Sequence, residues 1–130
     1  MSKEKLILTP LKDAVASLEK VLQQPKNEFI RDAAIQRFEY TFELAWKMIK
    51  RHLKMEAEID EFNIKNLFRS AARIGLIDDV EPWFLYHKVH SLTSHTYNEK
   101  VAEEAFMIAK QFFPNVEKLL IKLEQYYPLV

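Results

Sequence analysis

Only one of the 130 residues is glycine, the residue that enters left-handed turns without steric cost. A sheet protein joined by tight hairpins depends on such turns, so a chain this poor in glycine points to long helices. The apolar pattern agrees. Ile30, Ala34, Phe38, Thr41, Ala45, Met48 and Leu53 trace a stripe at helical spacing, widened by Phe42, Trp46 and Ile49. With 48% hydrophobic and 12% aromatic residues, the expectation is an all-α fold, an up-and-down bundle of four or five helices. The length fits one domain over residues 1–130.

Local signals place the elements. Thr9-Pro10 has the form of a helix start, a capping residue followed by proline at the first helical position. Leu11, Val15, Leu18 and Leu22 then share one face before Pro25. The second and longest helix begins near Asn27. A third is predicted from about Asp60 to Ile74, burying Ile64, Leu67, Phe68, Ala71 and Ala72, with Gly75 as its left-handed cap. Pro82 suits the first position of a fourth helix carrying Trp83, Tyr86, His87 and His90. Thr96-Tyr-Asn-Glu99 has capping-box spacing, so the last helix is expected to start at Thr96 and to pack Val101, Ala105, Ile108 and Phe112 inward. Pro114 is expected to kink or break it, with Val116, Leu119, Leu120 and Leu123 continuing the pattern.

Several function classes fall away. The absence of cysteine removes thiol nucleophiles, disulfide scaffolds and Cys-ligated zinc. No compact His/Asp/Glu set with ligand spacing lies on one face, so neither a metal nor a cofactor is expected. Met-Ser-Lys-Glu-Lys at the amino terminus leads into no long apolar run, so we expect no signal peptide or membrane span and a cytoplasmic location. Nineteen basic and nineteen acidic residues cancel, so any nucleotide or RNA site has to be local.

The residues that carry chemistry concentrate in His90-Ser-Leu-Thr-Ser-His95-Thr-Tyr97. On one continuous helix His90 and His95 would point about 140° apart. A helix break between them would let a corner gather His90, His95 and Tyr97, with unpaired amides at the next helix start ready for a phosphate oxygen. One neutral and one charged imidazole could then cleave RNA by acid/base catalysis without metal. Against this, Ser91, Thr93 and Thr96 are ordinary helix-junction residues. His52 and His87 read as surface or core-edge residues. On the second helix the polar residues Arg31, Asp32, Gln36, Arg37, Glu39, Glu43 and Lys47 read as a solvated face, although Glu39, Glu43 and Lys47 could line a cleft. Lys47, Lys50, Arg51 and Lys54 follow; the helix dipole favours cations there, and they could also meet a phosphate or an acidic partner.

Arg31-Asp-Ala-Ala-Ile-Gln-Arg-Phe-Glu-Tyr-Thr-Phe-Glu-Leu-Ala-Trp-Lys47 and Leu92-Thr-Ser-His-Thr-Tyr97, with Gly75-Leu-Ile-Asp78 and Trp83 between them, resemble the nucleotidyltransferase substrate-binding family, a branch of the HEPN superfamily. The resemblance implies a homodimer that works with a separately encoded minimal nucleotidyltransferase in a toxin–antitoxin-like pair. It also implies an Arg-x4-His-x-Tyr motif at the dimer cleft, whose Arg and His serve metal-independent RNA cleavage and whose Tyr accepts AMP. His95 matches the motif His and Tyr97 the motif Tyr. His90 and Ser91 stand where the family has Arg and often Asn. Histidine is shorter than arginine and lacks its two-point grip on phosphate, which weakens transition-state stabilisation. Three readings follow: a partner protein that presents Tyr97 or a nucleotide beside His95, with Ser91 and Thr96 in the nucleotide site, an endoribonuclease using His90 and His95, and a structural dimerisation module.

Overall fold

The computed structural model describes residues 6–60 and 63–128. They form an all-α bundle: α1 (Thr9–Leu22), α2 (Glu28–Ala57), α3 (Ile64–Arg73), α4 (Val80–His90), a short 3-10 turn (Thr93–His95) and α5 (Glu99–Tyr126). The 30-residue α2 is central and packs against each of the other four helices. Ion pairs from Arg31 to Glu99 and Glu103 tie the start of α2 to the start of α5. A 2.8 Å hydrogen bond between His52 and Tyr127 ties their ends, so the two long helices run parallel. Contacts of Ala14 and Ser17 with Thr41, Arg37 and Tyr40 set α1 antiparallel to α2. Tyr86 meeting Gln111 and Asn115 while Trp83 meets Phe112 sets α4 along α5.

Where four helices converge, the core is aromatic. Phe42 is fully buried and its ring neighbours those of Phe38, Phe68, Trp83 and Phe112. Phe112 in turn meets Phe38 and Tyr86 edge-on at 5.1 and 5.2 Å, the geometry that aromatic quadrupoles favour.

α2 begins where expected, and Asn27 caps it, its side chain accepting from the Ile30 amide. Gly75 adopts φ +82° just beyond α3. There the Leu76 amide donates to Ala71 and the Gly75 amide to Ala72, a Schellman termination that needs a left-handed residue.

Other boundaries differ. Thr9 lies inside α1, behind the cap position Leu8. The third helix starts at Ile64 behind the cap Asn63 rather than at Asp60; positions 61 and 62 lie outside the described residues. Asp79 caps α4 and moves Pro82 to the third helical position, which proline tolerates because first-turn amides have no intrahelical partner. Pro114 does not break α5. It leaves the Lys110 carbonyl without its usual donor, and one residue on, the Tyr86 hydroxyl donates to the Gln111 carbonyl at 3.2 Å.

The expected start of α5 at Thr96 is also corrected. Asn98 is the cap, accepting from Lys100 and Val101 amides at 3.0 and 3.3 Å. A capping box requires Glu99 to reach back to the Thr96 amide, but Glu99 is held by Arg31.

Arg31 is corrected too. It is 4% exposed rather than part of a solvated face, and its three carboxylate partners, led by Glu99 and Glu103, push its pKa up. His52 is likewise a core residue, 1% exposed.

Candidate functional site

The corner between α4 and α5 is built from backbone turns stapled by hydroxyls. Ser91 donates to the Lys88 carbonyl at 2.5 Å, Thr93 to the His90 carbonyl at 2.7 Å and Thr96 to the Thr93 carbonyl at 3.3 Å. Each reaches three residues back, satisfying carbonyls that the end of a helix leaves open. The hydroxyl cluster thus has a structural role, and Ser91 and Thr96 are committed to it.

His95 and Tyr97 are placed differently. Both are exposed, Tyr97 at 85%. Their rings meet edge-on, with His95 Nδ1 3.4 Å from the Tyr97 hydroxyl. Tyr97 is held just outside α5, next to the cap Asn98, with its side chain open to solvent. A phenol beside an imidazole is an arrangement that can serve as a nucleophile with a neighbouring base.

The ring of His90 turns the other way. It closes α4 over α2, with its centroid 5.1 Å from Phe42 and 6.5 Å from Phe38. Its Nε2 lies 3.6 Å from a Glu43 carboxylate oxygen, an ion-pair distance longer than a hydrogen bond. His90 is therefore engaged with α2, whereas His95 meets Tyr97. One turn back, His87 stacks on Phe42 at 6.3 Å with Nδ1 buried and unpartnered. Burial, then His90 and Lys65, push its pKa down.

Of the three α2 candidates, Glu43 borders this corner through His90. Glu39 is exposed one turn before it. Lys47 lies one turn after, its ammonium 5.9 Å from the Trp46 ring centroid. Sequence reasoning missed Arg31, which anchors the α5 start beside Tyr97. Its signal was present: Arg31 stands three, four and seven residues before Ala34, Ile35 and Phe38, in register with the buried stripe. Among the described residues no group of three or more His, Cys, Asp or Glu could hold a metal ion. No helix there is long and apolar enough to cross a membrane.

Comparison with known proteins adds a family. A family model described as nucleotidyltransferase substrate binding protein like matches residues 6–125. A Haemophilus influenzae protein named probable ribonuclease HepT is 34% identical over 141 aligned positions, covering 96% of this chain and 97% of that protein. A crystal structure of a Thermus thermophilus protein matches with a TM-score of 0.81 at 32% identity, covering 87% of this chain and 98% of that one. A Haemophilus influenzae structure, described as revealing the fold of a substrate binding domain of a nucleotidyltransferase, matches with a TM-score of 0.83 at 31% identity, over 92% of this chain and all of that one.

Proposed function

Because the chain belongs to the nucleotidyltransferase substrate binding protein like family, we propose that it is the binding partner of a minimal nucleotidyltransferase and presents Tyr97 as acceptor of the transferred nucleotide. It acts as a single-domain homodimer, with His95 beside the acceptor. The observation that carries the reading is the exposed Tyr97 hydroxyl 3.4 Å from His95 Nδ1, on a corner anchored by Asn98 and Arg31.

In the step itself the Tyr97 oxygen attacks the α-phosphorus of ATP bound by the partner. The new oxygen–phosphorus bond replaces the bond to the β-phosphate, pyrophosphate leaves, and the phenolic proton passes to His95. Glu99, Asn98 and the hydroxyl staples hold the corner while the partner supplies the nucleotide.

A second reading, endoribonuclease, is favoured by the name of the Haemophilus influenzae relative, probable ribonuclease HepT. The position of His90 weighs against it. An acid/base pair requires both imidazoles on one phosphodiester, and His90 is engaged with Phe42 and Glu43. The Glu43 carboxylate would repel the phosphate there.

Mass spectrometry after incubation with the partner and ATP tests the first reading: AMP is added to the wild type and not to Tyr97→Phe. Modification that persists in Tyr97→Phe, or none on the wild type, refutes it. RNA incubated with the wild type and with His95→Ala tests the second, which fails if both leave the RNA intact.

A further inference from the structure

Away from the His95–Tyr97 corner, the carboxy-terminal half of α2 carries a feature that the proposed function leaves unused. Trp46, Lys47, Lys50, Arg51, Lys54 and Asp60 line a shallow basin of about 470 Å³. That is within the size range of small-ligand sites. Its exposed lining is mainly apolar, with the half-buried indole of Trp46 among four cationic side chains and a single carboxylate, Asp60, at the end away from Lys47.

Glu43 lies four residues before Lys47 and Lys50 is itself partnered, but the run of like charges is costly to the helix. Lys47 lies three and four residues from Lys50 and Arg51, and Lys54 lies three and four residues from Arg51 and Lys50. Like charges at these spacings destabilise a helix by about 0.2–0.5 kcal/mol per pair. The helix dipole accounts for cations only in the last turn, where Lys54 alone lies. Among the described residues no ion pair closes on Lys47, Arg51 or Lys54. On a chain with no net charge, this is a local field for a polyanion.

We propose that this basin binds single-stranded nucleic acid, with a base on the Trp46 indole and successive phosphates on Lys47, Arg51 and Lys54. An aromatic platform within a cationic groove is how strands are held without sequence readout. The indole and the apolar lining favour this occupant over an acidic protein surface, because every nucleotide carries a flat base beside its phosphate whereas a carboxylate side chain carries none. From Lys47 to Lys54 the helix rises about 10 Å, room for more than one phosphate, so a strand fits better than a free nucleotide. The inference does not rest on the Tyr97 reading, since the basin and that corner share no residue.

Fluorescence titration tests it, because the chain has two tryptophans and Trp83 is 2% exposed, leaving Trp46 as the reporter. A ten-nucleotide oligouridylate should quench it saturably, with log K falling against log salt at a slope of about −2 for three phosphates. Charge reversals Lys47→Glu and Arg51→Glu, at exposed positions, should each weaken binding at least tenfold with the circular dichroism unchanged. Trp46→Phe should retain most of the affinity while the quench disappears. Absence of saturable binding overturns the proposal. So does polyglutamate binding as tightly as the oligonucleotide, which would assign the basin to an acidic protein. ATP binding as tightly as the ten-mer would overturn it in favour of a mononucleotide site.

Discussion

Asn98→Ala is the sharpest test of how the corner is built. The Asn98 side chain accepts from two amides, Lys100 at 3.0 Å and Val101 at 3.3 Å, which no intrahelical carbonyl serves. Alanine at a helix cap costs about 1 kcal/mol, within a range of roughly 0.5–2. Two accepted bonds and a half-buried Val101 put this position near or above the centre of that range. For a chain of this size the melting temperature should fall by about 4 °C. Thr96→Ala removes one long bond, 3.3 Å to the Thr93 carbonyl, and should cost less than about 0.5 kcal/mol. Urea denaturation of both variants, with Asn98→Asp as a cap-retaining control, measures the difference at constant slope. If Thr96→Ala is the more damaging variant, the cap assignment and the account of Tyr97 as the residue outside it are both wrong.

Phe42→Ala should cost about 3–5 kcal/mol, because the ring is fully buried against three helices; a loss below about 1 kcal/mol in urea unfolding would mean the aromatic cluster is not the core. Gly75→Ala should cost about 1 kcal/mol through backbone strain alone, since φ is +82° and nothing lies within 4 Å of the added carbon; an unchanged urea midpoint would contradict the left-handed cap. Burial holds the His52 pKa below its ordinary 6.5, so the unfolded chain takes up a proton that the folded one resists. Stability is then complete above about pH 6.5 and declines as the pH falls below it. Melting curves at about pH 7.5, 6.5 and 5.5 should show that decline, and an identical decline in His52→Gln would remove His52 from the account. His87 shifts in the same direction and accounts for what remains in that variant.

The parts of the fold legible in the sequence are those where local signals and tertiary packing agree. For α2 the cap Asn27 and an uninterrupted stripe point to the same helix, and Gly75 is the one residue free to end α3 in a left-handed turn. Where a short motif competes with a long-range contact, the contact wins. Thr96-x-x-Glu99 reads as a capping box, but the Glu99 carboxylate is taken by an arginine 68 residues away, and the cap passes to Asn98. Pro114 reads as a helix breaker, but Tyr86 from α4 meets the backbone beside the gap that it leaves. Arg31 is misassigned for a different reason: residue type outvoted register.

The corner itself shows why a cluster of reactive side chains is weak evidence until the backbone is known. The eight residues from His90 to Tyr97 are rich in side chains capable of proton exchange, and the structure divides them by what each can reach. Hydroxyls are short and lie next to helix-end carbonyls, so Ser91, Thr93 and Thr96 turn inward to bond them. His90 ends a helix packed on α2, and its ring lies against Phe42 with Nε2 buried, 3.6 Å from Glu43 and without a hydrogen-bond partner. His95 and Tyr97 lie on the turn beyond, both exposed. An 85% exposed phenol contributes little to the stability of the bundle, which leaves it free for the acceptor role that we propose for it.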